Sequence, residues 1–430
     1  MKAVILAAGK GRRFGSEKPK VLARLLDKSL LEHAVVGLRR AGIPEEDIVV
    51  VYSDPRVREA LQQYPGVKAV YNEAVEKGNG YSLLKAKNHV GGERFVLLMG
   101  DHFLEPESLQ SLILRKGSSR NGAIHLAVEK NLNGKNVEEA TKVLLRDGRV
   151  ADIGKRLERF NALDTGLFLC SPAVFDIAES FSGAFSINDI MKKASEKGIL
   201  FSWDITGSKW ADIDTREDLR RAEAEILRGL TKETDGIISR HINRKISTRI
   251  TKFLIRTGVT PNQISFVSFL LSLGSGGLFF LSHPAAAGLL AQISSIIDGC
   301  DGELARLKGL TSRFGAYYDS LLDRYADFAI LLGMIMVNPG EHWLPGALAI
   351  LGSYSISYSA ARAELLTGKG FKRWVYNLMS RDMRLFIVMI GGLLNQVLLT
   401  LYILAIATNI VVFSRLIAVD SRIKEKHPQY

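Results

Sequence analysis

Four aspartates within residues 298–323 are the residues best spaced to do chemistry together. Asp298 and Asp301 are three positions apart, and Asp319 and Asp323 four apart. Residues at those spacings share one helix face, so each pair projects two carboxylates from one helix. Two such helices facing each other build a four-carboxylate cage. Carboxylates packed that closely need cations between them, which implies divalent metal. Gly302 and Gly315 leave room for a nucleotide to approach, Ala305 keeps the same face shallow, and Arg306 is placed to meet a phosphate. Asp327 extends the stripe and reads as a supporting residue. A second set opens the chain, where LAAGKGRRFG (6–15) is followed by KPK (18–20). A strand ending in a glycine-bearing turn, here Gly9 and Gly11, lets backbone N–H groups approach phosphates. Arg12, Lys18 and Lys20 can neutralise them. No GK[ST] follows, so this is not a P-loop, and a third glycine comes one residue late for GxGxxG.

The elements that must position these residues differ between the two halves. Residues 1–235 hold apolar runs at 2–9, 48–53, 68–72, 94–101 and 165–171, separated by helix-period stretches such as 29–42. Strands alternating with helices predict an α/β domain on a mostly parallel, Rossmann-like sheet, with active residues at the strands' C-terminal ends. Residues 238–258 carry six basic and no acidic residues, with apolar positions at helical spacing. That is the pattern of a helix lying along a membrane surface. Beyond it, residues 257–297 and 385–414 carry no Asp, Glu, Lys or Arg, and residues 328–361 only Glu341. A spanning helix needs roughly 20 residues. We expect six transmembrane helices at about 260–282, 284–306, 312–336, 343–366, 383–398 and 399–419. This gives a cytoplasmic domain at 1–230, a linker with the interfacial helix at 231–258, and an all-α transmembrane domain at 259–430.

Charge supports that division. The chain of 430 residues has a net charge of +12. Residues 236–430 hold 20 Lys/Arg against 11 Asp/Glu, so the basic half is also the apolar half. That points to the lipid bilayer and away from nucleic acid. The loops 306–313 and 362–384 are basic, and the turns near residues 283, 338–343 and 398 have no Lys or Arg. Both termini should therefore face the cytoplasm of a cell-membrane protein. Two cysteines exclude a disulfide scaffold and a cysteine-rich zinc site. The first eight residues read as a strand, so no cleaved signal is expected.

The opening motif with its KPK resembles the signature of the sugar-1-phosphate nucleotidyltransferases, over roughly residues 1–225. The resemblance implies nucleotide contacts at Leu6, Ala8, Gly9 and Gly11, and catalytic roles for Arg12 and Lys20. GDH (100–102) and WADIDTREDL (210–219) match that family's metal motifs, which implies metal at Asp101 and Asp212. A carboxylate pair suits a reaction between an anionic phosphate and a triphosphate. Asp214 alternates away from that pair. NGYSLLKAK (79–87) resembles the base-reading segment, with Gly80 and Ser82 as contacts, and Lys142 and Lys155 resemble positions that meet substrate phosphate.

Residues 298–323 fit DxxDGxxAR(x8)GxxxDxxxD at every defined position. This is the signature of the CDP-alcohol phosphotransferases, and TPNQIS (260–265) resembles their entry to the first span. The resemblance implies metal at Asp298, Asp301, Asp319 and Asp323, with Asp323 also the general base. Asn262, Gly302, Ala305, Arg306 and Gly315 would then bind nucleotide. Arg362, Arg381 and Arg384 are expected to form an anionic acceptor pocket.

The pairing of a donor-making half with a donor-using half resembles the bifunctional inositol-1-phosphate cytidylyltransferase/di-inositol phosphate phosphate synthase family. That resemblance implies CTP, inositol 1-phosphate and CDP-inositol as ligands and one or two Mg²⁺ per site, with Mn²⁺ an alternative. The final products would be a phosphorylated di-inositol phosphodiester and CMP, in compatible-solute synthesis. Transfer to a lipid alcohol, giving a phospholipid, is the alternative. A catalytically dead nucleotide sensor or transporter is disfavoured because every acidic position is present. GSGG at 274–277 would serve a homodimer or packing within the chain.

Overall fold

A computed structural model describes all residues except 10, 16, 115–121, 133–136, 233–234, 368–378 and 427–430, and the side chains of residues 12, 112–114, 367 and 422–426 are not described either. It divides into two compact units, Met1–Ile226 and Leu227–Tyr430.

The first unit is built on nine strands: β1 (Lys2–Ala7), β2 (Ile48–Tyr52), β3 (Lys68–Tyr71), β4 (Phe95–Met99), β5 (Ile124–Glu129), β6 (Lys142–Arg146), β7 (Arg149–Gly154), β8 (Ala162–Cys170) and β9 (Leu200–Asp204). Their order in the sheet is β3-β2-β1-β4-β8-β5-β9-β7-β6. The expectation of a mostly parallel sheet is met in part, since the β5–β9 pair is parallel as well as the first four strands. Strands β3, β2, β1 and β4 are parallel, but β8 runs antiparallel to both β4 and β5. The β9–β7 and β7–β6 pairs are antiparallel too. The apolar run at 165–171 looks like a parallel strand because both faces of β8 are buried, and burial is what such a run reports. In β1, Ala3 and Ile5 join the core on one face of the sheet, and Val4 and Leu6 the core on the other. Helix α1 (Leu30–Arg40) begins on a capping box. Ser29 N donates to Glu32 Oε2 at 2.6 Å, and Glu32 N to Ser29 Oγ at 3.2 Å. Helix α2 (Arg216–Arg228) ends the unit.

The second unit is helical. Helix α3 (Arg244–Leu254) is followed, among the described residues, by α4 (Pro261–Phe280), α5 (Pro284–Lys308), α6 (Arg313–Val337), α7 (Pro339–Thr367), α8 (Arg381–Leu393) and α9 (Val397–Lys426). Of these, α4 and the Val397–Ser421 part of α9 are long and apolar enough to cross a membrane. Helices α5 and α6 carry the aspartates, and α8 has 13 residues, short of the roughly 20 that a straight span needs.

Small residues bring α4 and α6 together. A Cβ on Gly276 would collide with the backbone of Ala329, and one on Gly333 with Gly276. Gly276 therefore serves packing within the chain.

Helix α3 is amphipathic in an unusual sense. Its buried positions are Ser247 and Thr251, while Ile246 and Phe253 are exposed. The buried face meets Glu303 of α5, which is fully buried. Its carboxylate accepts from Arg244 Nη1 (2.8 Å), Ser247 Oγ (2.6 Å) and Thr251 Oγ1 (2.6 Å). Arg244 is gripped from the other side by Asp235, through Nε at 2.9 Å and Nη2 at 3.0 Å. A buried carboxylate with these partners is satisfied, and α3 is thereby held by its polar face.

Candidate functional site

The two units each carry a cluster of acidic groups. In the first, a two-stranded ribbon pairs His102–Leu104 with Trp210–Asp212, setting Asp212 opposite His102. This brings the GDH and WADIDTREDL motifs together across more than a hundred residues of chain. Ligand atoms of Asp101, His102 and Asp212 all lie within 4.8 Å of one another. Asp212 Oδ1 is buried without a hydrogen-bond partner, an oxygen left over for a cation. The set fits a hard divalent metal.

Charge is tightly coupled there. Burial works against the Lys20 ammonium, but Asp101 (2.7 Å) and Asp214 (2.6 Å) overcome it and raise its pKa. Burial also opposes the Asp101 charge, yet His102 and Lys20 hold its carboxyl well below the usual carboxylate range. Burial disfavours a charged His102, but Asp212, Asp101 and Asp164 carry its pKa up to about 9. Burial lifts Asp164 to about 6.

The expectation for Asp214 is corrected here. The ribbon strand stops at Asp212, so strand alternation does not continue and Asp214 turns back onto Lys20. Gly11 sits at φ 52°, and a Cβ there would come within 2.8 Å of Lys20 Cβ. Its bare backbone is what admits Lys20.

Gly9 and Lys18 line a cavity of ≈ 360 Å³ with Ser53, Arg56, Tyr71 and Asn72. Leu6 and Ala8 are buried, and their carbonyls accept from Gly100 N and Ser53 Oγ. Gly80 and Ser82 are not among that cavity's lining residues. A Cβ on Gly80 would strike Phe185, and Ser82 Oγ accepts from Asn72 Nδ2 at 2.9 Å inside the fold. Gly80 is thus packed against Phe185, and Ser82 is joined to Asn72, which lines the cavity. The Lys142 ammonium lies 5.3 Å from the Phe160 ring centre, and Lys155 lines a separate cavity with Arg156 and Lys192.

In the second unit, α5 and α6 face each other as the spacing implies. Ligand oxygens of Asp298, Asp319 and Asp323 lie within 4.8 Å of one another. Asp301 accepts from Ser265 Oγ at 2.5 Å, and Asp298 from Ser268 Oγ at 3.1 Å. Beside the cage, Asn262, Asp301, Gly302, Ala305, Arg306, Gly315 and Asp319 line a cavity of ≈ 310 Å³. Arg306 Nη2 donates to Leu230 O at 3.0 Å, while its buried Nε has no hydrogen-bond partner. Lys232 lines the same cavity. It was passed over in the sequence as part of a connector, and no local pattern marks it.

The three arginines separate. Arg362 is exposed. Arg384 is buried and donates to Asp327 Oδ2 at 2.5 Å and Met379 O at 3.2 Å. Arg381 reaches into the cage, with Nη1 at 2.9 Å from Asp298 Oδ2 and 2.7 Å from Asp323 Oδ1. Its Nε donates to Asp327 Oδ1 at 3.1 Å. Carboxylates thus hold Arg381 and Arg384, while Arg362 stands apart from them. A guanidinium bridging two ligands of the triad is a stand-in cation, and shows that the cage fits a positive ion.

Residues 3–159 match the MobA-like NTP transferase domain family and residues 258–413 the CDP-alcohol phosphatidyltransferase family. The chain is 36% identical over 423 residues to a bifunctional IPC transferase and DIPP synthase of Aquifex aeolicus, covering 95% of each protein. A protein of the same name from Thermococcus kodakarensis is 37% identical over 372 residues, which is 84% of this chain and 82% of that one. The solved inositol-1-phosphate CTP transferase from T. maritima aligns with 54% of this chain and 98% of its own at 29% identity and a TM-score of 0.47. With a nucleotidyltransferase unit and a CDP-alcohol phosphotransferase unit joined along nearly the full length of both relatives, the chain belongs to the family of bifunctional IPC transferases and DIPP synthases.

Proposed function

We propose that the first unit makes CDP-inositol from CTP and inositol 1-phosphate, and that the second transfers its phosphoinositol group to another inositol 1-phosphate. The products are di-myo-inositol phosphate phosphate and CMP. The observation that carries this reading is the match over 95% of both chains to a protein named for both activities.

In the first unit, a phosphate oxygen of inositol 1-phosphate attacks the α-phosphorus of CTP, and pyrophosphate leaves. Gly9 and Gly11 offer backbone N–H groups to the triphosphate, and Lys20, held between Asp101 and Asp214, supplies a fixed positive charge beside it. In the second unit, Asp323 takes the proton of the acceptor hydroxyl as its oxygen attacks the inositol-bearing phosphorus of CDP-inositol, and CMP leaves. Arg306 and Lys232 face the nucleotide phosphates from the cavity wall. Mg²⁺, held by Asp101 and Asp212 in one unit and by Asp298, Asp301, Asp319 and Asp323 in the other, would screen phosphate charge from the incoming nucleophile.

We place the domain boundary near residue 230 and six membrane segments after it, with α8 a short one. The alternation of basic and uncharged turns supports this, with both termini cytoplasmic. Exposed Phe266, Leu270 and Leu273 on α4, and Ile406, Ile410 and Phe413 on α9, suit contact with acyl chains. The outward Ile246 and Phe253 suit an interfacial α3.

The test is a phosphorus NMR assay of detergent-solubilised full chain given CTP, Mg²⁺ and inositol 1-phosphate. CDP-inositol followed by a phosphodiester and CMP is the expected course. CDP-inositol that accumulates without a phosphodiester would move the acceptor to a lipid alcohol, and no CDP-inositol would overturn the choice of alcohol.

A further inference from the structure

A triphosphate anchored at Gly9 lays its nucleoside along the remaining lining of the ≈ 360 Å³ cavity in the first unit. Several hydrogen-bonding side chains of that lining are already engaged. Ser53 Oγ donates to Ala8 O at 3.0 Å. Asn72 is fully buried, its Nδ2 donating to Ser82 Oγ at 2.9 Å and its Oδ1 accepting from Ala74 N at 3.0 Å. Glu17, Glu73 and Glu76 line the cavity as acceptors. Arg56 brings donors to the same lining, and it is held in place. Its Nε donates to Asp54 Oδ1 at 2.9 Å and its Nη2 to Asp54 Oδ2 at 2.7 Å. Asp54 is itself pinned, because Oδ1 also accepts from the Arg56 backbone N–H at 2.9 Å.

This bidentate pair uses one edge of the guanidinium. The outer edge, Nη1 with the second proton of Nη2, has no hydrogen-bond partner among the described residues. Two parallel N–H groups on a rigid plane match two adjacent acceptors. Cytosine carries such a pair, O2 beside an unprotonated N3. Uracil does not, since its N3 bears a proton that would point at the guanidinium. The exocyclic groups sharpen the difference. The amino group at cytosine C4 donates, which suits a carboxylate such as Glu73, steadied by Lys85 at 2.5 Å. Uracil O4 would set one acceptor against another there.

We propose that Arg56, oriented by Asp54, selects the base in the first unit: its outer edge donates to O2 and N3 of cytosine, so that CTP is taken in preference to UTP. This deepens the reading of that unit as a CTP-using enzyme and rests on it. Arg56 meets the substrate away from the reacting phosphorus, so its loss changes the choice of nucleotide and leaves the chemistry in place. Asp54 is a positioning residue, since it sets the plane in which the outer edge is presented. The other use for an arginine in this cavity is a contact with the triphosphate. That contact would be blind to the base, because CTP and UTP carry the same three phosphates.

The experiment measures kcat/KM for pyrophosphate release with inositol 1-phosphate on the detergent-solubilised full chain. The nucleotides are CTP, UTP and 3-deazacytidine triphosphate, which has a C–H where cytosine has N3. The unaltered chain should prefer CTP to both others. Arg56→Ala should reduce each preference at least about tenfold, the scale of one lost bidentate contact to a base. Asp54→Asn, which keeps the arginine but loosens its plane, should reduce them part of the way. Ratios taken within one preparation cancel any loss of folded protein. Equal losses with CTP and UTP in Arg56→Ala would put Arg56 on the triphosphate and overturn the proposal. An unaltered chain that takes UTP or the deaza analogue as readily as CTP would overturn it too. No pyrophosphate release by the unaltered chain from any of the three would instead sink the cytidylyltransferase reading itself, a failure distinct from the other two.

Discussion

Single side chains carry the two chemistries, and each has a partner whose loss has a stated consequence. Asp323→Asn keeps the size of the proposed base but cannot take a proton. Phosphodiester formation should fall by about 10²- to 10⁴-fold while CDP-inositol synthesis continues, both read in one phosphorus NMR time course. Loss of both activities together would contradict separate sites. Asp214 acts through Lys20, its partner at 2.6 Å. Asp214→Asn should lower kcat for CDP-inositol synthesis by about 10- to 100-fold, the usual cost of losing a group that orients a functional side chain. The convergence of Asp298, Asp319 and Asp323 was legible because residues three and four apart share a helix face. Asp214 was misjudged because strand alternation was carried two residues past the strand's end. The partners of Arg381 were not legible, since Asp327 and Arg381 meet across 54 positions of chain.

At the scale of elements, the connector into the second unit is built into the donor cavity. Leu230 O is fastened to Arg306, Lys232 lines the cavity, and Asp235 grips Arg244. Lys232→Gln should raise the KM for CDP-inositol roughly fivefold to tenfold, with cytidylylation unchanged. An unaltered KM would leave Lys232 as a surface charge. Glu303→Ala removes the carboxylate that Arg244, Ser247 and Thr251 share. Breaking a buried ion pair from one side costs about 3 to 5 kcal/mol, so the variant should melt at distinctly lower temperature in detergent. The strands of the first unit were legible as elements, but not the direction of β8. An apolar run reports burial on two faces, and either strand direction supplies it. Helix α3 was legible as amphipathic. Its polar face turns inward because Glu303, far along the chain, needs donors there.

For the whole molecule, each unit contains its own acidic cluster, and neither cluster borrows a ligand from the other unit among the described residues. A chain dead in the first unit and a chain dead in the second should therefore complement each other. Mixing Asp212→Asn with Asp323→Asn in detergent should restore phosphodiester formation from CTP and inositol 1-phosphate. The lag before CMP appears should shorten as protein concentration rises. Failure to complement, with each variant retaining its one expected activity, would mean that the intermediate does not pass through solution. The change in composition falls after Arg256, about thirty residues beyond the division at Ile226 and Leu227, because the second unit opens with charged, polar chain.

The attachment of α3 by Asp235, Arg244 and Glu303 also sets how the beginning of the second unit responds to heat. Stripping water from charged groups becomes less unfavourable as temperature rises, whereas the gain from burying each unit of apolar area levels off. A helix docked through carboxylates, a guanidinium and hydroxyls keeps its hold at temperatures where a greasy docking face has stopped improving. The start of the second unit is thereby fastened by the class of interaction that warming penalises least.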